Sequence, residues 1–145
     1  MKHITNSVSE TKKLGEVLAK KIIKKAPTKK AVIVGLEGEL GAGKTTFLQG
    51  FAKGLGIKEK ILSPTFILIK KFPISKFKNF YHIDCYRIRK PKELVDLGLK
   101  EILSNPQNIV AVEWVENIKK LLPPKIISIQ FKFLDKNKRK IVVGF

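Results

Sequence analysis

The residues with the plainest chemical meaning are Gly38-Glu39-Leu40-Gly41-Ala42-Gly43-Lys44-Thr45-Thr46. Their spacing fits G-x-x-x-x-G-K-(S/T), the loop that cradles the phosphates of a nucleoside triphosphate. Positive φ costs glycine little, so Gly41 and Gly43 let the backbone wrap an anion and turn its N–H groups inward. Leu40, Gly41, Ala42, Gly43, Lys44, Thr45 and Thr46 are therefore the candidate nucleotide-binding residues. Lys44 is expected to reach the β- and γ-phosphates, and the Thr45 hydroxyl to ligate Mg²⁺. A dinucleotide loop is disfavoured because Thr46 stands where the third glycine belongs.

A Mg-nucleotide site needs an acid besides Thr45, to hold the metal or a water in its shell. Such an acid typically ends an apolar strand beside the strand that enters the loop. Glu113 fits best, since it follows Ile109-Val-Ala-Val112; Asp84, after His82-Ile83, is the second candidate. Glu113 is read as the metal ligand and Asp84 as ordering the attacking water or sensing the γ-phosphate, with a strand-end turn cap as the alternative for Asp84. Trp114, the only tryptophan, is either a core residue or a rigid aromatic lid by the nucleotide. Ser63-Pro64-Thr65 is either a switch presenting the Thr65 hydroxyl to the γ-phosphate or a plain strand-entry turn. His82 and Cys85 lack the paired spacing of a metal site, so His82 reads as a structural or hydrogen-bonding residue. The guanine signature N-K-x-D is absent, which favours adenine or an unselective base site. Arginines outside Arg87 and Arg89 offer no obvious finger, so hydrolysis should be slow unless a partner adds charge.

The elements that must hold these residues follow from periodicity and punctuation. Ala31 to Leu36 reads as a buried strand entering the loop, and Phe47, Leu48, Phe51, Ala52 and Leu55 lie on one face of a helix leaving it. Ser7-Val-Ser-Glu10 is a capping box for a helix whose apolar face is Leu14, Val17, Leu18 and Ile22. Strands are expected over 66–69 and 80–86, a polar connection over 72–79, and a helix from Pro91 to about Leu103. The alternation over 126–134 reads as a half-solvated strand, Asp135 to Lys138 as a hairpin turn, and Lys140 to Phe145 as its partner. This order predicts an α/β, P-loop-type three-layer fold, its mixed sheet parallel at the centre and antiparallel at the C-terminal strands.

The 145 residues suit one domain, 1–145, and 43% apolar content is ordinary for a globular chain. No apolar run is long enough for a membrane span, and the first residues lack a signal-peptide core. One cysteine rules out an intramolecular disulfide, so a reducing cytoplasm is the default. A net charge of +18 is either a footprint for nucleic acid or lysines spread over solvated faces.

In their order along the chain, Gly38–Thr46, Ser63-Pro-Thr-Phe66, Tyr81-His-Ile-Asp-Cys-Tyr-Arg87, Pro91-Lys-Glu-Leu-Val-Asp-Leu-Gly98 and Val112-Glu-Trp-Val-Glu116 resemble the TsaE (YjeE) family. The resemblance covers nearly the whole chain. It departs where Phe66 and Cys85 replace the more frequent Tyr and Leu, and in C-terminal strands that are shorter and more basic. It implies a small ATPase that acts with TsaB and TsaD in making threonylcarbamoyladenosine in tRNA, its ATP cycle resetting the TsaB–TsaD complex, with tRNA met through that complex. It also implies phosphate contacts from Lys44 and the loop, Mg²⁺ ligation by Thr45 and Glu113, and roles in activity for Thr65, Asp84 and Trp114. Segments near Val8 and near Lys138 and Arg139 would approach the nucleotide. Two rival readings are a small-molecule kinase, which would need an acceptor pocket and an Arg-rich lid, and a nucleic-acid-binding module with a vestigial loop.

Overall fold

A computed structural model describes residues 1–25, 29–62, 69–74 and 79–145. Among them seven strands form one sheet in the order β1-β7-β6-β2-β5-β4-β3. The strands are β1 Lys2–Thr5, β2 Val32–Gly38, β3 Ile69–Pro73, β4 Asn79–Asp84, β5 Asn108–Glu113, β6 Ile127–Phe133 and β7 Arg139–Gly144. The helices are α1 Val8–Lys24, α2 Lys44–Gly54, α3 Lys92–Asp96 and α4 Leu99–Ser104, with a 3₁₀ stretch over Val115–Leu121. Strands β6, β2, β5 and β4 are mutually parallel, while β7, β1 and β3 join by antiparallel pairing. The parallel centre and the antiparallel pairing of the C-terminal strands β6 and β7 are those the sequence predicts; the antiparallel edge strands β1 and β3 extend the sheet further.

Both faces of the sheet are covered. On one face α1 and α2 bury Leu18, Ile22, Phe47, Leu48 and Phe51 against Val34, Leu36, Phe80, Ile109 and Ile129. On the other, Leu94, Leu99, Leu103, Val115 and Ile118 cover Ile33, Ile83, Val110 and Val112. Central strands buried on both sides read as continuous apolar runs, which is why Ile109-Val-Ala-Val112 carries no alternation. Helix α1 starts where its capping box predicts, with Ser7 Oγ accepting from the Glu10 N–H at 3.1 Å. Helices α1 and α2 approach unusually closely. A Cβ on Gly50 would lie 1.8 Å from the Lys12 carbonyl oxygen, and one on Gly15 2.2 Å from that of Phe47.

Several expectations change. The single helix over 91–103 is two short helices, broken at Gly98 with φ +92°. That φ is open to glycine and strained for other residues, so the apolar periodicity runs across a break it does not register. Pro91 caps α3 rather than opening its first turn. The connection expected over 72–79 still belongs to strand at Phe72 and Pro73, paired antiparallel with β4. Proline is tolerated there because β3 is an edge strand. Strand β6 runs parallel to β2 and is antiparallel only to β7. Strand β1 and the 3₁₀ stretch are additions, both too short for periodicity to reveal. Thr65, the Ser63-Pro64 turn and residues 66–68 of the strand expected over 66–69 lie outside the described residues.

Candidate functional site

Strands β2, β5 and β4 end side by side at Gly38, Glu113 and Asp84, with Leu36 opposite Glu113 and Glu113 opposite Asp84. The carboxyl ends of parallel strands are where open α/β sheets present ligand sites, because loops diverge there and leave a crevice. The glycine loop fills that crevice and delivers the chain into α2. Gly41 and Gly43 stand at φ +80° and +103°, so the positive φ predicted for them is present. Gly43 is also the N-cap of α2 and offers no side-chain cap. The first N–H groups of that helix therefore face the loop, the arrangement that binds anions.

Lys44 is buried and its Nζ donates to the carbonyl oxygens of Gly38 and, at 2.9 Å, of Glu39. It also lies 4.1 Å from the centre of the Trp114 ring, within cation–π reach. Burial pushes the Lys44 pKa down from its ordinary value, and the nearby charges of Glu113, Glu116, Asp84 and Glu39 work against that shift. Trp114 holds a left-handed backbone, φ 59° and ψ 45°, and its ring meets that of Tyr86 at 4.9 Å. It is half-buried between the loop lysine and the second core.

Glu113 is fully enclosed and held from two sides. Thr45 Oγ1 donates to its Oε1 at 3.2 Å, and His82 Nε2 bonds its Oε2 at 2.6 Å. Asp84, the next acid across the sheet, accepts the Tyr86 N–H at 2.9 Å, which is the turn cap weighed as its alternative. Burial raises the Asp84 pKa; the Tyr86 N–H opposes this and the Glu113 charge adds to it. Thr45 and Glu113 offer hard oxygen donors beside the phosphate loop, a set that suits Mg²⁺, which binds one or two protein oxygens and keeps its waters. Among the described residues no group of three or more His, Cys, Asp or Glu could hold a metal by itself.

On the far side of the loop a small cavity is lined by Val8, Thr11, Gly43, Thr46, Asn137 and Arg139. Three distant stretches meet here: the start of α1, the start of α2 and the β6–β7 turn. Val8 and Thr46 are thus brought together as the sequence reading needs, whereas Lys138 does not line the cavity and its neighbours Lys136, Asn137 and Arg139 do. Leu40 is exposed at the loop's tip, and Ala42 is buried beneath it. Arg139, named with Lys138 in a segment expected near the nucleotide, lies against the phosphate loop. Its Nη2 donates to the Gly41 carbonyl at 3.4 Å, and the guanidinium covers the Phe133 ring at 4.6 Å. Arg87 is exposed beyond the end of β4. His82, expected to be a structural or hydrogen-bonding residue, is hydrogen-bonded, though nothing in its spacing announces the carboxylate it meets. The two sit on neighbouring strands whose register only the fold supplies.

Residues 5–141 match the family model described as "Threonylcarbamoyl adenosine biosynthesis protein TsaE". The chain is 42% identical over 138 residues to the tRNA threonylcarbamoyladenosine biosynthesis protein TsaE of Rickettsia conorii, covering 94% of this chain and 74% of that protein. The Bacillus subtilis protein of the same name is 38% identical over 141 residues, 97% of this chain and 83% of its own. Among solved structures, Bacillus subtilis YdiB superposes with a TM-score of 0.79 at 34% identity, covering 99% of this chain and 83% of that one.

Proposed function

The chain belongs to the TsaE family of threonylcarbamoyl adenosine biosynthesis proteins, and from that premise we propose that it is the ATP-binding and ATP-hydrolysing accessory protein of tRNA threonylcarbamoyladenosine formation, acting in the cytoplasm with a TsaB–TsaD complex that its ATP cycle resets. One observation carries the ATPase part: Lys44, Thr45 and Glu113 converge at the mouth of a glycine loop that opens into a helix N-terminus.

The chain's own groups account for the chemistry. Loop N–H groups and the start of α2 bind and orient the triphosphate. Lys44 exchanges its two carbonyl partners for phosphate oxygens and offsets the charge that develops there. Thr45 and Glu113 would hold Mg²⁺, which when bound neutralises charge on the phosphate oxygens. Asp84 keeps one oxygen on the Tyr86 N–H and orders the attacking water, with Thr65 assisting at the γ-phosphate. The cavity of Val8, Thr11, Thr46, Asn137 and Arg139 takes the base end of the nucleotide. Trp114 covers Lys44 and limits water around the phosphates. Positioning supplies most of the rate in such a site, which fits slow turnover alone and faster turnover when a partner completes it.

The test is ATP hydrolysis by the purified protein with and without TsaB–TsaD, beside Lys44→Ala. Slow turnover that rises with the partners and disappears in the variant is the expected result. Equal turnover in wild type and variant would reject the loop as the site. Phosphorylation of a small acceptor would instead establish a kinase.

A further inference from the structure

We propose that His82 is a positioning residue that fixes the carboxylate of Glu113 for metal binding; the inference rests on the reading of Glu113 as the metal-binding acid. Glutamate has one more rotatable bond than aspartate, so an acid of this length at a strand end must be steered to present a defined oxygen. In this chain its two oxygens have separate partners. Oε1 faces the Thr45 hydroxyl at 3.2 Å, on the side of the phosphate loop. Oε2 is tied back by His82 Nε2 at 2.6 Å. The imidazole is itself almost wholly enclosed, at 2% side-chain exposure against 4% for Glu113, so the contact is between two groups that water scarcely reaches.

The fold explains why a histidine stands there. His82 lies on β4 opposite Ala111 of β5, two residues before Glu113 and on the same face of the sheet. The small Ala111 side chain leaves the imidazole room to pass over β5 toward the carboxylate. Asp84, next along that face, turns one oxygen to the Tyr86 N–H, so each acid has a holder of its own. A ring with two rotatable bonds, packed between strands, sets direction better than a long flexible donor would. Groups that orient a metal-binding side chain typically change metal affinity about 10–100-fold when removed, with little effect on ligands that bind elsewhere.

The experiment compares ADP binding, titrated in excess chelator and then across Mg²⁺ concentrations, in wild type, His82→Leu, His82→Gln and Glu113→Gln. His82→Leu should leave metal-free ADP binding within about twofold and raise the Mg²⁺ concentration for half-maximal effect about tenfold. His82→Gln, whose amide can still donate, should recover much of that loss. If His82→Leu weakens metal-free and metal-bound binding equally, or if Gln and Leu behave alike, the positioning role is overturned. Should His82→Leu not fold, His82→Asn takes its place, since its amide is too short to reach and the same Mg²⁺ shift is required. Glu113→Gln separates the two readings. Unchanged Mg²⁺ dependence in that variant rejects Glu113 as the metal acid; lost dependence there with wild-type dependence in His82→Leu rejects only the role of His82.

Discussion

At the scale of single residues, the site keeps charges where burial disfavours them. Burial holds Asp84 protonated to higher pH than an ordinary carboxylate. A raised folded pKa means stability that is complete below the unfolded value, about 3.9, and is lost as pH rises through the folded one. Ionised Asp84 therefore opposes folding at neutral pH. Asp84→Asn keeps an acceptor for the Tyr86 N–H and should melt higher at pH 7.5. The gain should vanish near pH 4, and ATP turnover should fall. A variant that melts lower at pH 7.5 would contradict this. Cys85 makes a second case. Burial, with the charges of Asp84, Glu116 and Glu113 adding to it, pushes its thiol up to about 12. The folded chain should resist thiol reagents at pH 8 and react in denaturant, as ultraviolet titration with a disulfide reagent would read. Trp114 supplies an optical handle, being the only tryptophan and set 4.1 Å from Lys44. Nucleotide that draws Lys44 to its phosphates should change the intrinsic emission, and Lys44→Ala should change it without nucleotide.

At the scale of elements, the close packing of α1 on α2 depends on missing side chains. Gly50→Ala places a Cβ where the Lys12 carbonyl stands, so the helices must separate. Overpacking costs about 1–3 kcal/mol, and the gain in helix propensity, about 1 kcal/mol, offsets only part of it. Urea unfolding should show a net loss of up to about 2 kcal/mol; a gain in stability would mean that the interface yields freely. This also marks what the sequence makes legible. Glycines in the phosphate loop announce themselves because motif and φ agree, whereas Gly15 and Gly50 matter through a neighbour that only the fold provides. Glu113 is legible as an acid after an apolar run, and the cavity beside the loop is legible only as two segments named near Val8 and near Lys138 and Arg139. The partners of His82 and Arg139 are not legible, because each contact crosses strands or loops far apart in the chain. Strand β1, at four residues, falls below the length where periodicity carries information.

At the scale of the whole molecule, charge is unevenly placed. The chain carries 30 Lys and Arg against 12 Asp and Glu, yet Glu37, Glu39, Asp84, Glu113 and Glu116 gather at the loop end of the sheet. The remaining surface is therefore more basic than the net +18 conveys. If those lysines touch tRNA, log affinity should fall linearly with log salt, by close to one power for each phosphate contacted. A flat response would assign the lysines to solvation alone. The pairing of β1 with β7 has a kinetic consequence. Lys2 meets Val142 across almost the whole chain, and the cavity beside the loop needs residues 7–11, 43–46 and 136–139 together. Contacts so distant form late, because a long loop must close before they repay its entropy. During synthesis, Val8 and Thr11 must wait for the final strand to leave the ribosome. If this cavity takes the nucleotide as proposed, tight capture should appear only once β7 has paired, and its appearance in a refolding experiment should time that step.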